Sequence, residues 1–255
     1  MAEDDEGTLS HLEGSDLRTN VYEGGFKTWE CSIDLASLLL DRGPRKDIDE
    51  LCRVDCITEL GAGSALPTLV LFQHALQNEY AINFTLADYN ASVLRLVTLP
   101  NLLLTWARFT ADPEILTSGE GDLEVTPELV ADFKNVLKRK NITLNLISGP
   151  WSPEIATLIP DSVPEMGTLV LAAETIYSPQ STQAFVELVV QLMRRIKMAK
   201  AIVAAKRMYF GVGGSVDSLK EACAEKGAVA YEVENSGVRG MDAGVGRALL
   251  EVQMY

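Results

Sequence analysis

The stretch Ile57-Thr58-Glu59-Leu60-Gly61-Ala62-Gly63-Ser64-Ala65-Leu66 decides the fold. It reads as a short apolar strand, a glycine turn and the start of a helix. Such a turn makes a ligand site for a physical reason: a Cβ would block close approach to the backbone, and free N–H groups gather at the helix start. Spacing selects among cofactors. A dinucleotide fingerprint, Gly-x-Gly-x-x-Gly or Ala, requires a small residue at position 66, which is Leu66. The small residues are instead Gly61, Gly63 and Ala65, with the acid Glu59 ahead of them. That is the spacing of an S-adenosylmethionine loop, although by itself it also fits other glycine turns.

Outward from the loop, the pattern alternates as a doubly wound sheet does. The strand Cys56 to Leu60 is followed by a helix (Ala65 to Gln77), a strand (Ile82 to Ala87) and a helix from Ala91 to about Trp106. Upstream, Cys31 to Asp41 carries a helical apolar pattern that breaks at Gly43-Pro44. Thr126-Pro127-Glu128 reads as an N-cap, a proline at the first helical position and an acid on the positive end of the dipole. That helix closes at Lys138-Arg139-Lys140, and residues 107–140 read as an insertion. Strands then fall at Ile142 to Ser148, Thr168 to Ala172 and Ala201 to Ala205, with a helix capped by Ser178-Pro179 running to about Lys197 and another at Val216 to Gly227.

The last two strands, Val229 to Val233 and Arg247 to Met254, are joined by a segment too short for a parallel crossover, so they are expected to pair antiparallel. The expectation is a Rossmann-like, seven-stranded α/β sheet with a terminal antiparallel pair, the class I methyltransferase arrangement, in one domain over residues 21–255 behind an acidic tail over 1–20.

Further candidates sit at strand ends. Asp88 follows the second strand, where a carboxylate can take both hydroxyls of a ribose or, alternatively, cap the next helix. Ser148-Gly149 lets the backbone approach an adenine, with Trp151 over the ring, or is a plain turn. Gly211-Val212-Gly213-Gly214 is no P-loop, because no Gly-Lys-Ser/Thr follows. It reads as a mobile substrate-side loop or a structural turn. Tyr89 and Tyr177 are either site residues or core aromatics. The only histidines, His11 and His74, are far apart, and Cys52 and Cys56 have no partner pair, so neither a metal site nor Ser-His-Asp chemistry is expected.

The net charge of −14 repels polyphosphate, so stand-alone nucleic-acid binding is not expected, and a basic protein partner suits the field. Charge that serves only solubility is the plainer alternative. Four cysteines without a paired framework, and an acidic opening in place of a basic and then apolar one, lead us to expect a cytoplasmic or nuclear compartment. No apolar run approaches the ~20 residues of a membrane span. A monomer is the default expectation.

Four motifs taken together go further: Tyr22-Glu23-Gly24-Gly25-Phe26-Lys27-Thr28-Trp29-Glu30-Cys31, Ala87-Asp88-Tyr89-Asn90, Ala173-Glu174-Thr175-Ile176-Tyr177 and Tyr209-Phe210-Gly211-Val212-Gly213-Gly214. Over about residues 21–255 the chain resembles the eukaryotic protein-histidine methyltransferases, which act on a large-subunit ribosomal protein. The resemblance implies that Thr28, Trp29, Glu30, Cys31 and Ser32 lie across the cofactor. It implies too that Gly61, Asp88, Tyr89 and Asn90 line the remainder, with Gly149 and Trp151 near the adenine. Where the family has a serine, this chain has Ala173, so the hydroxyl of that position is missing.

An imidazole is nucleophilic only when neutral, so the chemistry needs an acceptor that fixes its tautomer more than it needs a strong base. Glu174 is the candidate acceptor, Asn90 or Tyr177 the candidates to orient the ring, and Trp29 an aromatic face beside the sulfonium. Bracing of the following loop is the plainer role for Glu174. A lysine methyltransferase on the same fold and a non-catalytic binding module for a basic client are the competing readings.

Overall fold

The computed structural model describes residues 24–41, 53–78, 80–110, 122–233, 241 and 244–255. The acidic tail, Tyr22-Glu23, the Gly43-Pro44 break, Cys52, and parts of the 107–140 segment and of the last connection lie outside the described residues. In chain order the elements are α1 (Glu30–Asp41), β1 (Val54–Leu60), α2 (Leu66–Asn78), β2 (Asn83–Asp88) and α3 (Ala91–Val93). A π-helical turn (Leu94–Thr98) then leads into α4 (Leu99–Thr110), α5 (Pro127–Arg139), β3 (Thr143–Ser148) and α6 (Pro153–Leu158). The chain finishes with β4 (Gly167–Ala173), α7 (Pro179–Met193), β5 (Ala199–Lys206), α8 (Val216–Glu225), β6 (Ala228–Glu232) and β7 (Arg247–Met254).

The strands form one sheet in the order β3-β2-β1-β4-β5-β7-β6. Strands β1 to β5 pair in parallel, and β7 lies antiparallel to both β5 and β6. The expected terminal antiparallel pair is therefore present, and its reversed member is β7, wedged between β5 and β6. Strand order turns around between β1 and β4. Ligands of doubly wound sheets bind at such a switch point, outside the carboxyl ends of the strands.

Alternation along the strands sends side chains to two cores. Leu169, Leu171, Ile202 and Ala204 join the core under α1, α2 and α4, while Val170, Ala172, Val203 and Ala205 join the one under α7 and α8. Because both faces are covered, β4 is apolar along its whole length, as parallel strands are.

Local chemistry sets the helix ends. Thr126 caps α5 by accepting from Leu129 N, and Ser178 and Ser215 form capping boxes at α7 and α8. Helix α7 stops at Met193, short of Lys197, and α6 is a six-residue helix not anticipated from the sequence. The helix expected from Ala91 is interrupted where Leu99 N donates to Leu94 O, five residues back. Pro100 follows at once. A proline lacks the donor that a regular turn needs and crowds the preceding turn, which the wider π turn relieves. No helix among the described residues is long and apolar enough to cross a membrane.

Candidate active site

A cavity of about 740 Å³ opens over the carboxyl ends of β1, β2, β4 and β5, within the size range of sites for small molecules and cofactors. The glycine loop forms its floor. Gly61 N and Ala62 N both donate to Ala87 O at 2.9 Å, which ties the loop to the end of β2. Gly61, Gly63 and Ala65 all have left-handed backbone (φ +71°, +50° and +58°). Ala65 thus holds a conformation that costs an ordinary L-residue about 1–2 kcal/mol, and the small residue there has a backbone reason.

The glycines answer to the chain's own packing. A Cβ on Gly61 would stand 2.9 Å from Thr175 Cγ2, and one on Gly63 would stand 3.3 Å from Gly25 Cα. At Gly25 (φ +108°) a Cβ would strike Val93 Cγ1 at 2.9 Å and come within 3.5 Å of Asp88 Oδ2. The segment ahead of α1 therefore crosses the loop glycine on glycine. The π turn and the first turn of α4 hold the other side: Thr98 Oγ1 donates to Gly63 O at 2.7 Å, and Asn101 Nδ2 donates to Ser64 O at 3.0 Å.

Two carboxylates anchor the loop. Asp88 Oδ2 accepts from Gly63 N at 3.0 Å and Oδ1 from Asn90 N at 3.2 Å. Burial raises its pKa to about 6 against the pull of these N–H groups. Asp88 is not the N-cap of the next helix; Asn90 is, without a side-chain capping bond. Glu59 Oε2 accepts from Thr68 N at 3.1 Å, so it braces the first turn of α2. Complete burial pushes it up to about 8.

Of the residues expected around the cofactor, Trp29, Ser32, Glu59, Gly61, Gly63, Asp88, Tyr89, Gly149, Trp151 and Ala173 line the cavity, as do Glu174 and Tyr177. Thr28, Glu30, Cys31, Asn90 and Ser148 do not. Thr28, Glu30 and Ser148 are exposed, and the Glu30 carboxylate reaches out to Arg247 at 3.7 Å. Cys31 is buried behind the wall, in the core under α1. Asn90 is drawn to the start of α3 by the bond from its N–H to Asp88. The Tyr209-to-Gly214 segment is a structured turn: Tyr209 N donates to Gly214 O, Gly213 N to Tyr209 O, and Gly214 N to Tyr177 O. It presents Val212 to the cavity.

At the opposite end from Asp88, β4 delivers Glu174 in left-handed backbone (φ +59°), with its N–H donating to Ala204 O at 3.0 Å. Strained non-glycine residues of this kind cluster at functional sites. Its Oε1 is buried and accepts no hydrogen bond. Lys206 Nζ lies 3.7 Å from that oxygen, 5.4 Å from the Trp29 ring centre and 5.9 Å from that of Tyr209. The cation over Trp29 is thus the chain's own lysine.

Tyr209, Thr175 and Gly24-Gly25 enter only as members of the motifs that carry the resemblance, and Lys206 is not singled out by the sequence. Lys206 was within reach of it: it leaves β5 at the same sheet edge at which Glu174 leaves β4, since Ala173 registers with Ala204. Among the described residues no cluster has the makings of a metal site.

No family model matches the sequence. The chain is 39% identical over 217 residues to histidine protein methyltransferase 1 of Saccharomyces cerevisiae, covering 79% of this chain and 56% of that protein. It is 40% identical over 211 residues to the Schizosaccharomyces pombe protein of the same name, covering 82% and 59%. It is a relative of the histidine protein methyltransferases. The chain spans somewhat over half the length of these curated relatives. Among solved structures, the bifunctional kinase-methyltransferase WbdD superposes with a TM-score of 0.50 at 11% identity, over 98% of this chain and 46% of that one. That likeness, with the strand order, establishes the class I methyltransferase fold.

Proposed function

We propose that this chain is an S-adenosylmethionine-dependent protein-histidine N-methyltransferase acting on a basic protein, a component of the large ribosomal subunit. The observation that carries the reading is Glu174 Oε1, an acceptor oxygen buried at the cavity wall without a hydrogen bond. A carboxylate so placed takes a proton-bearing ring nitrogen. When bound, S-adenosylmethionine supplies an electrophilic methyl group on a sulfonium.

The chain's residues do the binding and orienting. Asp88 spends one lone pair of each oxygen on Gly63 and Asn90, leaving others for the two hydroxyls of a ribose. Gly149 and Trp151 wall the adenine end, and Trp151 is held edge-on by Phe185 with ring centres 5.7 Å apart. Glu174 accepts the N–H of one imidazole nitrogen, which fixes the tautomer and leaves the lone pair of the other free. With S-adenosylmethionine bound, that lone pair would take the methyl group, the carbon–sulfur pair staying on sulfur. The N–H facing Glu174 becomes more acidic as the ring gains the methyl, and its proton leaves through the carboxylate to solvent.

The net charge of −14 favours a basic client and speeds its encounter. We propose the cytoplasm and nucleus as the enzyme's compartment and a monomer as the acting form. The test is transfer from labelled S-adenosylmethionine to heat-treated, acid-soluble protein, followed by amino-acid analysis. Methylhistidine supports the reading; methyllysine as the sole product rejects it.

A further inference from the structure

The acceptor end of the cavity holds a second charge that the proposed mechanism has not used. Lys206 Nζ stands 3.7 Å from Glu174 Oε1, and the carboxylate side chain is only 8% exposed. The ammonium is penned between the Trp29 and Tyr209 rings at 5.4 and 5.9 Å.

The other titratable groups here add no second charge to this pair. The Cys31 thiol of α1 and the Tyr209 phenol are pushed up by burial, then by the charge of Glu174 and by hydrogen bonding to it, so both face the carboxylate as neutral donors and Lys206 is the cation beside it. Asp34 of α1 is engaged by Arg247 of β7. Glu59 and Asp88 belong to the glycine loop, bonded to Thr68, Gly63 and Asn90. Lys27, ahead of α1, is exposed where it lines the cavity.

A buried carboxylate on its own favours cations. A histidine ring bound against it is stabilised as imidazolium, which has no lone pair to give, and a lysine ammonium is welcomed equally. A cation 3.7 Å from the same oxygen cancels that preference while leaving a hydrogen-bond acceptor. Resting on the histidine reading above, we propose that Lys206 is a specificity-determining residue that offsets the charge of Glu174, so that the accepting ring binds neutral and an ammonium is refused. It also disfavours the protonated methylated ring, and so drives the product's proton off.

The test uses the whole chain and, as probe, the acid-soluble protein that wild type labels, together with that protein carrying lysine in place of the accepting histidine. The expected result for Lys206→Met is an acid limb of the kcat–pH profile displaced upward by about one unit, hence roughly a tenfold loss on that limb with recovery at higher pH. The displacement is expected to vanish in a Glu174→Gln background, and Lys206→Arg is expected to keep the wild-type limb. Methyllysine should form on the lysine probe with Lys206→Met and not with wild type. Proton uptake on binding the histidine probe with S-adenosylhomocysteine, larger for Lys206→Met, reads the same effect without turnover. An acid limb and proton uptake that coincide with wild type overturn the inference. Wild type that forms no methylhistidine overturns the functional reading beneath it, and the two failures are told apart by the wild-type arm alone.

Discussion

Gly63 donates its backbone N–H to Asp88 Oδ2 at 3.0 Å, so the carboxylate expected to hold a ribose also holds the loop beneath it. The same side chain takes Asn90 N through its other oxygen. Asp88→Ala therefore strands the buried Gly63 donor, at about 1–3 kcal/mol, and the half-buried Asn90 donor at less, and is expected to lower Tm as well as cofactor affinity. Asp88→Asn keeps one acceptor and is expected to cost less stability while still weakening binding at least tenfold. Thermal melts with and without S-adenosylhomocysteine separate the two effects. Equal Tm for Asp88→Ala and wild type would mean the loop bonds carry no weight.

Glu59 gives the fold a pH dependence of defined sign. Its carboxyl keeps its proton to about pH 8 in the folded chain, against an ordinary value of 4.5. The folded state then binds more protons than the unfolded one between those values, so this group's contribution to stability falls as pH rises from 4.5 to 8. Glu59→Gln retains an acceptor for Thr68 N and removes the titration. It is expected to lie within about 1 kcal/mol of wild type near pH 5 and to melt higher at pH 8, by about 4 kcal/mol or roughly ten degrees. A Tm difference independent of pH contradicts this origin.

Much of this site was legible in the sequence, and the limits have physical reasons. Leu66 excluded a dinucleotide loop because spacing is a backbone property, and the Arg247 to Met254 strand revealed the terminal pairing because connection length restricts direction. Asp88, Glu174 and Trp151 were found because parallel strands deliver their functional residues at one edge. The gaps arise where a role depends on a partner remote in the chain. Gly25 meets Gly63 only in three dimensions, and Lys206 gains its meaning from Glu174. Asn90 stands next to the cavity wall without lining it, and its backbone N–H is bonded to Asp88.

The turn after β5 offers a test of the substrate side. A Cβ on Gly214 would overlap Ile176 O and meet Tyr177 C at 2.5 Å, so Gly214→Ala must lift the turn from the backbone it is bonded to. Val212 would move with it, while the glycine loop is untouched. The expected outcome is near-wild-type S-adenosylhomocysteine affinity with KM for the protein substrate raised about tenfold. Loss of cofactor binding to the same extent would assign the turn elsewhere.

The Asp34–Arg247 pair anchors α1, and through it Trp29, to β7. Asp34 is buried and Arg247 half-buried, at 5% and 11% side-chain exposure, so Arg247→Met leaves a buried carboxylate without its ion pair. The expected destabilisation is about 3–5 kcal/mol. Asp34→Asn in the same chain should recover part of it, because the unpaired charge is gone; denaturant unfolding of the four variants measures the coupling. No recovery in the double variant would point to lost packing by the arginine instead.

Under the proposed function the cavity has two ends with separate duties, Asp88 for the cofactor and Glu174 for the accepting ring. The most direct measurement sets S-adenosylhomocysteine affinity beside the rate of methylhistidine formation for Asp88→Asn and Glu174→Gln. Asp88→Asn is expected to lose affinity, whereas Glu174→Gln is expected to keep wild-type affinity and lose at least about a hundredfold in rate. Glu174→Gln that retains the rate, or that loses affinity as fully as Asp88→Asn does, contradicts this division of duties.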